Sequence, residues 1–129
     1  MHKLGTGYTK YFNNKYHRVG SLCQGPFKAV LIDNQTHLQY LLVYINVFNP
    51  GELIEPDLKR GIRDVEKIMR FAEEYSWSTH REYLDKRNSI IVEKGLLGKI
   101  FSNPKEYREF TRGVLLGKKF EKICSLTLE

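Results

Sequence analysis

Apolar and polar positions alternate with a helical period over most of the chain. Tyr8, Tyr11, Phe12 and Tyr16 fall on one face, which predicts a helix over 8–17. Gly20 and then Gly25-Pro26 punctuate turns. Phe27 to Asp33 is short, rich in β-formers and bounded by turn residues, and it reads as a strand. Thr36 is placed to cap a helix running through about Phe48. Leu38, Leu41, Leu42, Ile45 and Phe48 would share its apolar face, with Tyr40, Tyr44 and Val47 on the neighbouring one. The run from Leu41 to Phe48 also suits a strand; the pattern's reach back to Leu38 and the stop at Asn49-Pro50-Gly51 favour a helix. Pro50 to about Arg60 is a loop and the best candidate boundary. Ile62 to Tyr75 is strongly helical, with Ile62, Val65, Ile68, Met69, Phe71 and Ala72 on or near one face. Ser78 or Thr79 is placed to cap a short helix through Tyr83 and Leu84, and 88–100 is a weaker amphipathic stretch. Asn103 and Pro104 mark the start of a last helix that buries Tyr107, Phe110, Val114 and Leu115 and runs toward Phe120. One strand cannot satisfy its own ladder bonds, so the pattern implies further strands or partners outside this chain.

Composition narrows the class. The chain has 129 residues, 41% hydrophobic and 12% aromatic, too apolar for a disordered chain. It holds no run of about 18 apolar residues, so no membrane-spanning helix is expected. Cys23 and Cys124 are too few for a disulfide scaffold or a zinc site, which points to a reducing, cytoplasmic setting. Cys23 reads more readily as a small buried residue than as a nucleophile. The formal net charge is +6. It is unevenly placed: +5 over residues 1–32, −4 over 33–57 and +5 over 58–129. A basic block of this kind suits a polyanion partner.

Motifs for chemistry are sparse. His2, His17, His37 and His80 show no metal-ligand spacing, and there is no phosphate loop or nucleophile elbow. Two features stand out. Lys10, Lys15, Tyr16, Arg18 and their neighbours Tyr8 and Tyr11 interleave cations with aromatic rings. Rings stack on unpaired bases while Lys and Arg neutralise phosphates, which suits single-stranded or hairpin DNA. The same pattern suits a core helix with buried tyrosines and solvated lysines. The second feature is Tyr44, a hydroxyl amid apolar residues one turn after Tyr40. It can be a core residue, or a nucleophile if a metal or base stands beside it.

Three segments carry a family resemblance. Tyr8 to Asp33, the tyrosine-bearing stretch Tyr44-Ile45-Asn46-Val47-Phe48-Asn49-Pro50, and Tyr75-Ser76-Trp77-Ser78-Thr79-His80-Arg81-Glu82-Tyr83-Leu84 resemble, in order, motifs of the REP-associated tyrosine transposases. The resemblance implies an α+β architecture: part of a ferredoxin-like transposase domain with one clear strand over residues 1–56, then a helical extension over 57–129. It makes Tyr44 the nucleophile that forms a 5′-phosphotyrosine link during DNA transposition, with Tyr40 as the alternative. Lys28 becomes a DNA contact beside Lys10, Lys15, Tyr16 and Arg18. A divalent metal, Mg²⁺ or Mn²⁺, is implied, with Asn49 as the assisting polar residue and Asn46 as its substitute. The family's His-x-His ligands lie upstream of the motif that begins here at Tyr8 and are missing from this chain. The chain is therefore expected to be a C-terminal portion, inactive alone, completed by an N-terminal segment or acting as a homodimer. A non-enzymatic nucleic-acid-binding module and a decayed transposase fragment are the alternatives.

Overall fold

The computed structural model describes residues 1–56, 58 and 61–117. Among them there is no strand: every regular element is helical. The expected ferredoxin-like α+β fold with one clear strand is thereby overturned. Residues 27–33 run without regular structure, and Phe27, Val30 and Leu31 face solvent. The reason is the one the pattern already carried. β-Propensity measures how well side chains fit a pleated, half-buried surface, and among the described residues no strand offers one.

The chain divides into two compact units, Met1–Leu31 and Ile32–Glu129. The first is built on helix α1, His2–Tyr16, which starts well before the expected boundary and buries no residue. It ends where His17 turns left-handed at φ 51°, and the amides of His17 and Arg18 both donate to the carbonyl of Asn13. The Asn13 side chain then donates to the Gly20 carbonyl at 2.8 Å and closes the turn. Gly20 sits at φ 100°, a conformation that glycine adopts freely. Cys23, expected to be buried, is exposed and free.

The second unit opens with α2, Gln35–Val43. Its cap is Asn34 in place of the expected Thr36: the Asn34 carboxamide oxygen accepts from the His37 amide at 2.7 Å. The helical path runs on through Asn49-Pro50-Gly51 and ends there. It passes through a wide π-helical turn, Tyr44–Phe48, into the short α3, Asn49–Gly51. Proline explains the widening. In a regular α-helix the Pro50 ring would meet the carbonyl four residues back and leave it without a donor. In the wide turn the Asn49 amide reaches back to the Tyr44 carbonyl, and the ring finds room. Asn46, Val47 and Phe48 then point inward together, whereas Ile45, expected on the buried face, is 53% exposed.

Among the described residues there follow α4 Val65–Glu74, α5 His80–Tyr83, α6 Gly95–Ile100 and α7 Pro104–Leu116. Asp64 caps α4 through the Lys67 amide, and Asn103 caps α7 through the Lys105 amide, the latter as its sequence predicts. Phe120 lies outside the described residues. One apolar cluster joins Val43, Val47 and Phe48 to Leu58, to Ile68, Met69 and Ala72 of α4, and to Val114 and Leu115 of α7. A second joins Leu42, Tyr83, Leu84 and Tyr107. Gly51 marks a close approach, since a Cβ there would stand 2.9 Å from Leu58 Cδ1 and 3.0 Å from Ile68 Cγ2.

Candidate nucleic-acid interface

α1 displays the residues expected to meet DNA. Tyr8, Tyr11 and Tyr16 are 58%, 58% and 54% exposed, so the buried-tyrosine alternative does not describe this helix. Tyr8, Phe12 and Tyr16 follow one another at i, i+4 spacing, their ring centres 6.1 and 4.5 Å apart. The cations lie against these rings. Lys15 Nζ is 5.7 Å from the Tyr11 ring centre and 5.5 Å from that of Tyr16, and the Arg18 guanidinium is 5.8 Å from that of Phe12. Arg18 owes its place to the Asn13 clasp, which folds the chain back just past the helix end. Lys10 is exposed on the same helix, and Lys28 is exposed in the irregular segment that follows. No acidic residue interrupts this unit. The result is a solvent-facing set of π-surfaces with positive charge beside them, which is what stacking on bases next to phosphates requires.

Tyr44 and Asn49 belong to the second unit. Tyr44 opens the π-helical turn, half-buried, with its ring stacked on Phe48 at 5.3 Å and 20° and packed against the larger apolar cluster. Tyr40 is also half-buried there, 5.5 Å from the Phe110 ring. Asn49 is exposed. Asn46 is buried and committed elsewhere: its amide nitrogen donates to Thr79 Oγ1 at 2.9 Å, and its oxygen accepts from the Thr79 amide at 3.2 Å. Among the described residues no three His, Cys, Asp or Glu side chains converge as a metal site would need. This donor set does not fit the divalent ion that the resemblance implies, and no chemical step is derived through it.

Sequence reading did not anticipate the polar cluster of the second unit. His80 is fully buried, and its Nδ1 is hydrogen-bonded to the Tyr107 hydroxyl at 2.9 Å. Burial lowers the His80 pKa from its usual 6.5 to about 4, opposed by the Glu73 carboxylate and assisted by Arg108 and Lys86. Burial raises the Tyr107 phenol, with Asn46 and Thr111 opposing. Glu73 takes ion pairs from Lys86 at 2.6 Å and Arg108 at 3.2 Å. Glu82, 2% exposed, is held by Arg87 Nε at 2.6 Å and Nη2 at 2.9 Å, and that pairing depresses its pKa. His80 is held by Tyr107, Glu73 by Lys86 and Arg108, and Glu82 by Arg87, which is the arrangement of structural pairs. Asn46, the one amide within the apolar run Leu41–Phe48, was the sequence signal for it.

The chain matches no family model, no curated protein and no solved structure.

Proposed function

We propose that this chain binds single-stranded or hairpin DNA through the aromatic and basic surface of α1 and the residues after it, with Lys10, Lys15, Tyr16, Arg18 and Lys28 as contacts. The observation that carries the reading is the exposure of the α1 tyrosines with Lys15 and Arg18 lying against their neighbouring rings. A helix that hid those rings would argue for packing instead. The resemblance of three segments to the REP-associated tyrosine transposases supports the same class of partner. On that reading the protein is a transposase-related DNA-binding module working in the cytoplasm, alone or as a homodimer, with Tyr44 as the position of the family's nucleophile. Binding rather than cleavage is assigned to it, because the Tyr44 ring packs on Phe48 and the Asn46 amide is spent on Thr79.

The test is a titration of a labelled DNA hairpin with a single-stranded flank, followed by anisotropy across a salt series. Affinity should fall steeply with salt as counterions are released, and Lys10→Ala with Lys15→Ala should flatten the dependence. Affinity indifferent to salt and to these substitutions overturns the reading. Mg²⁺-dependent cleavage of the hairpin that is lost in Tyr44→Phe would make the protein a nuclease instead.

A further inference from the structure

On α1 a single ammonium serves two rings. Lys15 Nζ stands 5.7 Å from the Tyr11 ring centre and 5.5 Å from that of Tyr16. The two rings differ in their other contacts. Tyr16 leans on Phe12, their centres 4.5 Å apart, whereas Tyr11, 58% exposed, meets no other ring among the described residues. Tyr11 therefore keeps apolar ring surface open to a ligand. Lys15 finds no anion within its own unit, because residues 1–31 carry +5 and no carboxylate. Consecutive nucleosides are joined by one phosphate, so an anion seated on Lys15 carries a base on either side of it, within reach of Tyr11 and Tyr16. In a duplex both faces of an internal base are covered by its neighbours; only an unpaired base has a face to offer a ring.

Two other occupants of this face fit it less well. Among the described residues no helix is long and apolar enough to cross a membrane. A helix lying on a membrane surface sets its cations on the face opposite its apolar residues, whereas here Lys15 and Arg18 lie over the rings. A second copy of the chain would bring +5 against +5 with no carboxylate to offset the repulsion. We propose that Tyr11, Lys15 and Tyr16 form a site for one dinucleotide step of unpaired DNA, with Tyr11 as a base-stacking residue, so that α1 selects single strands over paired stems. The proposal rests on the DNA-binding reading above and deepens it, and the experiment separates the two.

The full chain is titrated, across a salt series, with an end-labelled oligothymidylate of about 12 nucleotides, within the usual site size of single-strand binders, and with a blunt duplex of the same length. Anisotropy reports binding. Charge alone favours the duplex, whose phosphates are denser, so a preference for the single strand reports the rings. The expected result is tighter binding of the oligothymidylate. Tyr11→Ala should weaken it roughly 5- to 150-fold with the salt slope unchanged, Tyr11→Phe should restore it, and duplex binding should ignore both. Alanine is a strong helix former and α1 buries no residue, so the helix survives the substitution, which far-ultraviolet circular dichroism checks. A duplex bound as tightly as the single strand, or Tyr11→Ala binding oligothymidylate like the wild type, overturns this inference and leaves DNA binding to the charge of α1. No rise in anisotropy with these probes or with the hairpin overturns both. Binding of phosphatidylserine vesicles by a chain that ignores the oligonucleotide gives α1 to a membrane surface, and a dimer in solution that Tyr11→Ala dissolves gives it to a second copy; each overturns the inference.

Discussion

The Nδ1 of His80 lies 2.9 Å from the hydroxyl of Tyr107, and both side chains are buried, 27 residues apart in sequence. The bond ties the short α5 to α7 within the polar cluster. His80 Nε2 is buried with no hydrogen-bond partner among the described residues, and burial of the ring penalises its charged form. Protonation of His80 is therefore disfavoured in the folded state.

A pH dependence follows from this burial. The folded pKa of His80, about 4, lies below the ordinary 6.5, so the unfolded chain binds the extra proton between those values. Stability should be full above pH 6.5 and decline as pH falls toward 4, by up to about 3 kcal/mol from this group. Glu73 and Glu82 have lowered pKa values, so their loss belongs to more acidic solutions. Urea unfolding at pH 7 and pH 5 checks the difference, and His80→Gln should flatten it.

Removing the other half of the pair should be felt at neutral pH. Tyr107→Phe leaves the His80 Nδ1 buried without its partner, a loss of about 1–3 kcal/mol. Denaturant midpoints of the variant and the wild type at pH 7 measure it.

Gly51 offers a packing test. Gly51→Ala would drive a methyl against Leu58 and Ile68, and overpacking of this kind costs about 1–3 kcal/mol. A fall in the thermal midpoint is the expected outcome; an unchanged midpoint would show that the Leu58 side chain simply turns away.

The two kinds of ion pair should separate in the same assay. Arg87→Met strands the buried Glu82 carboxylate and frees the Ser76 and Ser78 carbonyls, so the urea midpoint should drop clearly. Arg112→Ala removes an exposed partner of Glu66 and should change stability by less than about 0.5 kcal/mol.

These sites show which parts of the fold were legible in the sequence. Asn103-Pro104 marked the start of α7, and the period of Ile62 to Tyr75 located α4, because caps and helical faces are local signals. The strand expected at 27–33 failed because strand formation depends on a partner that local sequence does not contain. The inward turn of Asn46 depended on how the backbone would accommodate Pro50, by stopping or by widening, and the residue types permit both. The pairing of His80 with Tyr107 and the grip of Arg87 on the Trp77 turn are tertiary contacts between residues that look unrelated along the chain. The aromatic and basic face of α1 was visible in the residue order, but its exposure was not, since the same spacing serves a buried helix.

The central claim is that the exposed face of α1 meets DNA, and the salt dependence of hairpin binding tests it most directly. Wild type should lose affinity linearly on a log–log plot of affinity against salt, and the Lys10→Ala, Lys15→Ala double variant should have a slope shallower by about 1.4 to 1.8, roughly 0.7 for each single-strand and 0.9 for each duplex phosphate contact removed. Equal slopes for the two proteins, or binding that does not respond to salt, would contradict it.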